Sequence, residues 1–282
     1  MSARHQAREP DLSLPAGPSL WIRQVRGILR IELRKTLFGR RSLLVYLIAG
    51  APMGLSALIL VLTLIFGDDS GGGDVFASFY FHFLLMMVTF FGAASIFMNL
   101  FRGEILDRCL HYYFLVPLRR SVLVTGKFLA GLLSGWILFG GATFVSYWLT
   151  MTALSLSSKG PSTGGSWGQA LGFTGTTMLA CLGYGAIFLL IGLLFRNPFI
   201  PAIMIWGWES INFLLPPVLK KISVVHYLRS IVPIPVPMGP FALLAEPTPL
   251  YFSLPGLLLL ATAALLLASW RIRHMEISYG NE

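Results

Sequence analysis

The sequence predicts an all-α integral membrane protein with a six-helix transmembrane bundle, and three observations carry that expectation: composition, the spacing of apolar runs, and the placement of lysine and arginine. Of 282 residues, 55% are hydrophobic and 12% charged, and the mean hydropathy is +0.74. A soluble domain carries about 25% charge, so a water-soluble globule is excluded. Disorder is excluded too, because it requires low hydrophobicity and high charge. The 21 Lys and Arg against 12 Asp and Glu leave a formal charge of +9. In a chain this apolar, that excess points to topology and to anionic lipid, not to nucleic acid.

A helix needs about 20 mostly apolar residues to cross the hydrocarbon layer. Six stretches qualify: 43–66, 75–101, 126–154, 170–195, 199–219 and 251–270. The separators read as breaks, among them the Asp- and Gly-rich 67–74, a run holding Gly160-Pro161, and Arg196-Asn197-Pro198. The fifth stretch carries Glu209 at its middle and ends at Pro216-Pro217. With six spans, 17 of the 21 Lys and Arg fall on one side. Short positive loops stay cytosolic, so both termini are expected in the cytosol, with the chain multi-pass in the cytoplasmic (inner) membrane. Residues 1–18 are polar and Pro-rich and 273–282 form a short tail. No secretory signal is expected, since the first apolar run begins near Leu43. Cys109 is expected at the cytosolic surface and Cys181 inside a span, so neither a disulfide framework nor a metal site is anticipated.

Residues 19–41 precede the first span and predict an interfacial amphipathic helix with Ser19 as its N-cap. Trp21, Ile22, Val25, Ile28, Leu29 and Leu33 share one broad face, and Arg23, Arg26, Arg30 and Arg34 form a basic stripe beside it. Such a helix lies with its apolar face in lipid and its arginines near anionic headgroups. Glu32 falls inside the apolar arc, where it should seek a basic partner. Two readings stand open: a simple anchor, with Glu32 reaching water, or a helix that also docks protein.

The connection 102–125 is too long and too well stocked with aromatic and charged side chains for a plain linker. Glu104, Leu110, Pro117, Arg120 and Gly126-Lys127 stand at the spacing Glu, five residues, Leu, six residues, Pro, two residues, Arg, followed by a Gly-Lys pair. On this pattern the chain resembles the permease subunits of ABC transporters of the type-2 exporter kind; where that family often has Gly-Thr before the Leu, this chain has Arg108-Cys109. The resemblance implies that the loop folds as a cytosolic coupling helix between spans two and three. That helix would insert into a separate ATP-binding subunit, with the interfacial helix bracing beside it. The coupling residues would be Glu104, Asp107, Tyr112, Tyr113, Phe114, Pro117, Arg119 and Arg120. It further implies two copies of the ATP-binding subunit, a second permease chain (most simply a homodimer), and ATP with Mg held on the partner. The cargo expected from so apolar an interior is amphiphilic: lipid-like, peptide or drug-like.

The chain itself lacks a phosphate-cradling loop. The nearest candidate, Ser121 to Phe128, has Ser121 in place of the first Gly and Phe128 in place of the hydroxyl. Metalloprotease and serine-hydrolase motifs are missing as well, so no catalytic residue is expected. The alternative from a different class is a proton- or ion-coupled secondary transporter, for which intramembrane ionisable residues are the usual mark. Glu209, with Asn212 on the same helical face and Trp206 on the other side, would then line the substrate path or gate. The competing reading makes Glu209 a hydrogen-bonded interhelical contact. His82 is expected to be a packing residue. Gly131, Gly135, Gly140, Gly141, Gly183 and Gly185 suggest close helix contacts. The outer segment 220–250 alternates Pro233, Pro235, Pro237 and Pro240 with apolar residues. It is expected to form short re-entrant helices before span six, with a flexible loop as the alternative.

Overall fold

The computed structural model describes residues 18–39, 42–66, 73–106, 120–156, 166–195, 197–234, 236 and 249–274. All regular structure among these residues is helical. α1 (Pro18–Phe38) leads into α2 (Ser42–Phe66). α3 (Gly73–Phe79) continues through a π-helical stretch, Tyr80–Thr89, into α4 (Phe90–Leu106). α5 (Arg120–Gly135) runs through a second π stretch, Trp136–Gly140, into α6 (Gly141–Leu156). Then come α7 (Trp167–Leu194), α8 (Phe199–Ser210), a 3-10 turn at Asn212–Leu214, the short α9 (Pro217–Lys220), α10 (Val224–Ile231) and α11 (Leu250–Arg273).

Five of the helical stretches are long and apolar enough to cross a membrane: Ser42–Ile65, Phe76–Glu104, Ser121–Leu156, Trp167–Leu194 and Leu250–Ile272. The multi-pass membrane character read from the sequence is therefore present. The stretch 199–219 does not form a sixth long helix, because α8 stops at Ser210 after 12 residues, about 18 Å at 1.5 Å per residue. The reason is local: the chain tightens to 3-10 geometry at Asn212–Leu214 and then meets Pro216-Pro217, which cannot donate backbone hydrogen bonds. A second difference concerns 102–125. α4 continues through Leu106 and α5 begins at Arg120, so Glu104 belongs to a helix, and the connection shrinks to 107–119, outside the described residues.

α7 is the central element, packed by α4, α5, α6 and α11, while α2 lies on α6 and α1 lies on α5. The order follows from side-chain size. Small residues on α7 let neighbours approach: a Cβ on Gly192 would meet the Met98 carbonyl at 2.9 Å, and one on Gly183 would meet Leu257 at 2.8 Å and Val224 at 3.0 Å. Gly131 faces Phe97 and Leu100, Gly135 faces Cys181, Gly140 faces Met178 and Gly185 faces Phe97, whereas Gly141 has nothing within 4 Å. Aromatic rings fill the space between these close approaches. Phe76 meets Tyr147 and Phe173 edge-on, each at 5.1 Å, and Phe90 meets Phe188 at 4.9 Å, geometries the ring quadrupoles favour.

Several polar groups inside this apolar body pair with one another, as a medium without water favours. The Tyr80 hydroxyl donates to the Phe173 carbonyl at 3.0 Å and also lies 3.0 Å from the Thr177 hydroxyl. Thr177 is in turn 3.0 Å from the Thr143 hydroxyl, so three helical stretches meet through hydroxyls. Thr89 donates to the Leu84 carbonyl across the wide turn at 2.8 Å. The two peripheral helices differ from the centre: most of the α2 spanning stretch and of that of α11 is not buried.

Candidate functional site

Lys127 is the one charged residue in the stretch 121–156. It lies two turns into α5, fully buried, too deep for its ammonium to reach water. Its partners come from two other helices. Nζ donates to Glu32 Oε1 of α1 at 2.6 Å, to Glu104 Oε1 of α4 at 2.7 Å and to the Leu100 carbonyl at 2.9 Å. The Phe101 ring covers it, with its centroid 5.2 Å from Nζ. Both carboxylates are 2% exposed. Lys35, one turn along α1 from Glu32 and partly exposed, approaches Glu104 Oε1 at 3.5 Å. Among the described residues, two carboxylates and two ammoniums thus meet in one cluster. One neighbour makes the approach possible: a Cβ on Gly126 would meet Ile28 of α1 at 3.1 Å.

This is the basic partner that Glu32 was expected to seek, and it shows α1 docked on protein through Ile28 and Glu32. Arg23, Arg26, Arg30 and Arg34 stay exposed and Trp21 is 42% exposed, so the basic stripe faces away from the bundle as its periodicity indicated. The sequence reading did not pair Glu32 with Lys127. The signal was present, since each is a lone charge in an apolar arc or run, but 95 residues separate them. Among the other residues expected to couple, Asp107, Tyr112, Tyr113, Phe114, Pro117 and Arg119 lie outside the described residues, and Arg120 opens α5.

The second candidate, Glu209, is 2% exposed at the end of α8. Its carboxylate accepts the backbone N–H of Val224 at 2.9 Å on Oε1 and that of Val225 at 3.0 Å on Oε2, and the Ser223 hydroxyl donates to Oε2. Those N–H groups open α10, so Glu209 caps a helix from a distance, where a negative charge is favoured by the helix dipole. The hydrogen-bonded structural reading of Glu209 is what the geometry supports. Trp206 donates from Nε1 to the Met86 carbonyl at 3.2 Å, and Asn212 is buried in the 3-10 turn beyond the helix end. His82 is exposed and bonds within its own helix to the Ser78 carbonyl at 3.0 Å. The half-buried His226 of α10 is held below the ordinary histidine range, by burial first and then by Lys220, Lys221 and Arg229 around it.

Neither a known family model nor a curated protein matches the sequence.

Proposed function

We propose that the chain is the membrane-spanning subunit of an ATP-driven exporter of the ABC type-2 kind, working as a pair and coupled to separate ATP-binding subunits. The reading counts six membrane crossings, with α8 as the short one, both termini in the cytosol, and α1 lying in the cytosolic interface. The observation that supports it best is the ion cluster. Glu104 lies near the end of the helix that leads into the 107–119 connection, Lys127 lies two turns into the helix that leaves it, and Glu32 ties both to α1. A push on that connection would therefore reach α1, α4 and α5 together, which is how a rigid-body switch is driven from a short contact. The cargo in this reading is amphiphilic.

The test is co-purification from native membranes in mild detergent, with ATP hydrolysis assayed on what is recovered. A stoichiometric soluble subunit bearing a phosphate-binding loop is expected, with hydrolysis responding to Tyr113→Ser and Phe114→Ser. These variants change none of Glu32, Lys35, Glu104 and Lys127, and thermal unfolding of the same samples separates uncoupling from unfolding. A lone chain that transports without any ATPase would overturn the proposal.

A further inference from the structure

A cavity of about 570 Å³ opens between α1, α2, α4 and the first residue of α8, within the range usual for small-molecule sites. Its lining is graded along its length. Glu32 and Lys35 line it from α1 and Asn99 from α4, while Ile48 and Phe91 line it farther along α2 and α4. On α4, Phe91 and Asn99 are eight residues apart, about 12 Å at 1.5 Å per residue. The wall formed by α2 is a helix whose spanning stretch is largely unburied, and Leu44, which lines the cavity, is 56% exposed. The cavity thus has a charged head, an apolar shaft and one wall bordering the surface that a bilayer would cover.

We propose that this cavity binds one bilayer phospholipid with a zwitterionic, primary-ammonium headgroup. The acyl chain runs along α2 and α4 toward Phe91, the ammonium faces Glu32 and the phosphate faces Lys35. Charge complementarity selects the headgroup. Both signs line the cavity head one turn apart on α1, and the described residues behind them already pair two carboxylates with two ammoniums, Lys35 lying 3.5 Å from Glu104. An anionic lipid would bring an uncompensated charge. A primary ammonium can donate hydrogen bonds to the Glu32 carboxylate, which a quaternary ammonium cannot.

The site is separable from the exporter reading, because lipid retention is measured on the chain alone without nucleotide. The purified, delipidated chain would be mixed with phosphatidylethanolamine, phosphatidylglycerol or phosphatidylcholine, and bound lipid counted by native mass spectrometry. Phosphatidylethanolamine should be retained about tenfold more tightly, equivalent to 1.4 kcal/mol. Retention of all three lipids should weaken in Lys35→Ala, which removes the partner of their shared phosphate, and all retention at this site should be lost in Ser95→Trp, which fills the cavity from α4. Lipid-free thermal unfolding of both variants verifies that they fold. Equal retention of the three lipids, or retention unchanged in a folded Ser95→Trp chain, would overturn the proposal.

Discussion

Lys127 and Glu32 are separated by 95 residues of sequence, and Nζ of one lies 2.6 Å from Oε1 of the other. The bond joins an amphipathic helix to the bundle at a place where neither charge could stand alone. Breaking such a pair from one side leaves an uncompensated charge and typically costs about 3–5 kcal/mol. Lys127→Met should therefore lose most of its cooperative unfolding signal in detergent, followed by tryptophan fluorescence on heating. Combining it with Glu32→Gln should recover part of the loss. Lys35→Ala removes only a partly exposed pair and should change stability by about 0–1 kcal/mol.

Glu209 holds the first N–H groups of α10, so its removal should be felt there before anywhere else. Glu209→Ala strips the acceptor from Val224 and Val225, and each lost hydrogen bond to a charged group is worth about 1.5–3 kcal/mol. Hydrogen exchange at those two amides should accelerate, with Glu209→Gln, which keeps one carbonyl oxygen, intermediate. If the group served ion-coupled transport instead, Glu209→Gln would abolish transport while both amides kept their full protection.

The membrane class was legible because hydropathy sums over many residues and tolerates local error. Five of the six expected stretches became long helices. The sixth did not, because a helix break at Ile211 and two prolines cut it short, and the average hydropathy of 199–219 hides them. Glu32 was legible as a misplaced charge, but its partner was not, since no periodicity links α1 to α5. The cap formed by Glu209 depends on where Ser223 lies in space. The π stretches at Tyr80–Thr89 and Trp136–Gly140 leave no composition signal, because wide turns arise from packing, here with the Phe139 ring seated over Gly92.

The glycines of α7 and α6 should respond in opposite senses. A methyl group on Gly192 would press on the backbone of Met98, whose carbonyl oxygen would lie 2.9 Å away and Cα 3.1 Å away. Backbone cannot rotate aside, so Gly192→Ala should destabilise by about 1–3 kcal/mol. Gly141 has nothing within 4 Å of the same position. There Gly141→Ala removes only conformational freedom, and a gain of up to about 1 kcal/mol is expected. Thermal unfolding of the two variants side by side measures the difference, and a similar effect at both positions would count against the tight α4–α7 crossing.

The direction of the shift at His226 gives α10 a pH dependence whose sign can be worked out. Burial and the cations Lys220, Lys221 and Arg229 hold its imidazole below the ordinary range, so in the folded chain it stays neutral at pH values where an unfolded chain, titrating near 6.5, already takes up a proton. The unfolded state then binds more protons, and stability falls with falling pH. The contribution of His226 is complete above about pH 6.5 and is lost as pH drops through the folded value. Titration of isotope-labelled histidine rings, with His226→Gln assigning the signal, should show a midpoint below the ordinary histidine value of about 6.5. Lys220→Ala with Lys221→Ala should move it upward. Because Glu209 caps the first turn of α10, which also carries His226, acid should loosen Val224 and Val225 earlier in the wild-type chain than in His226→Gln, and hydrogen exchange at those amides would reveal the order.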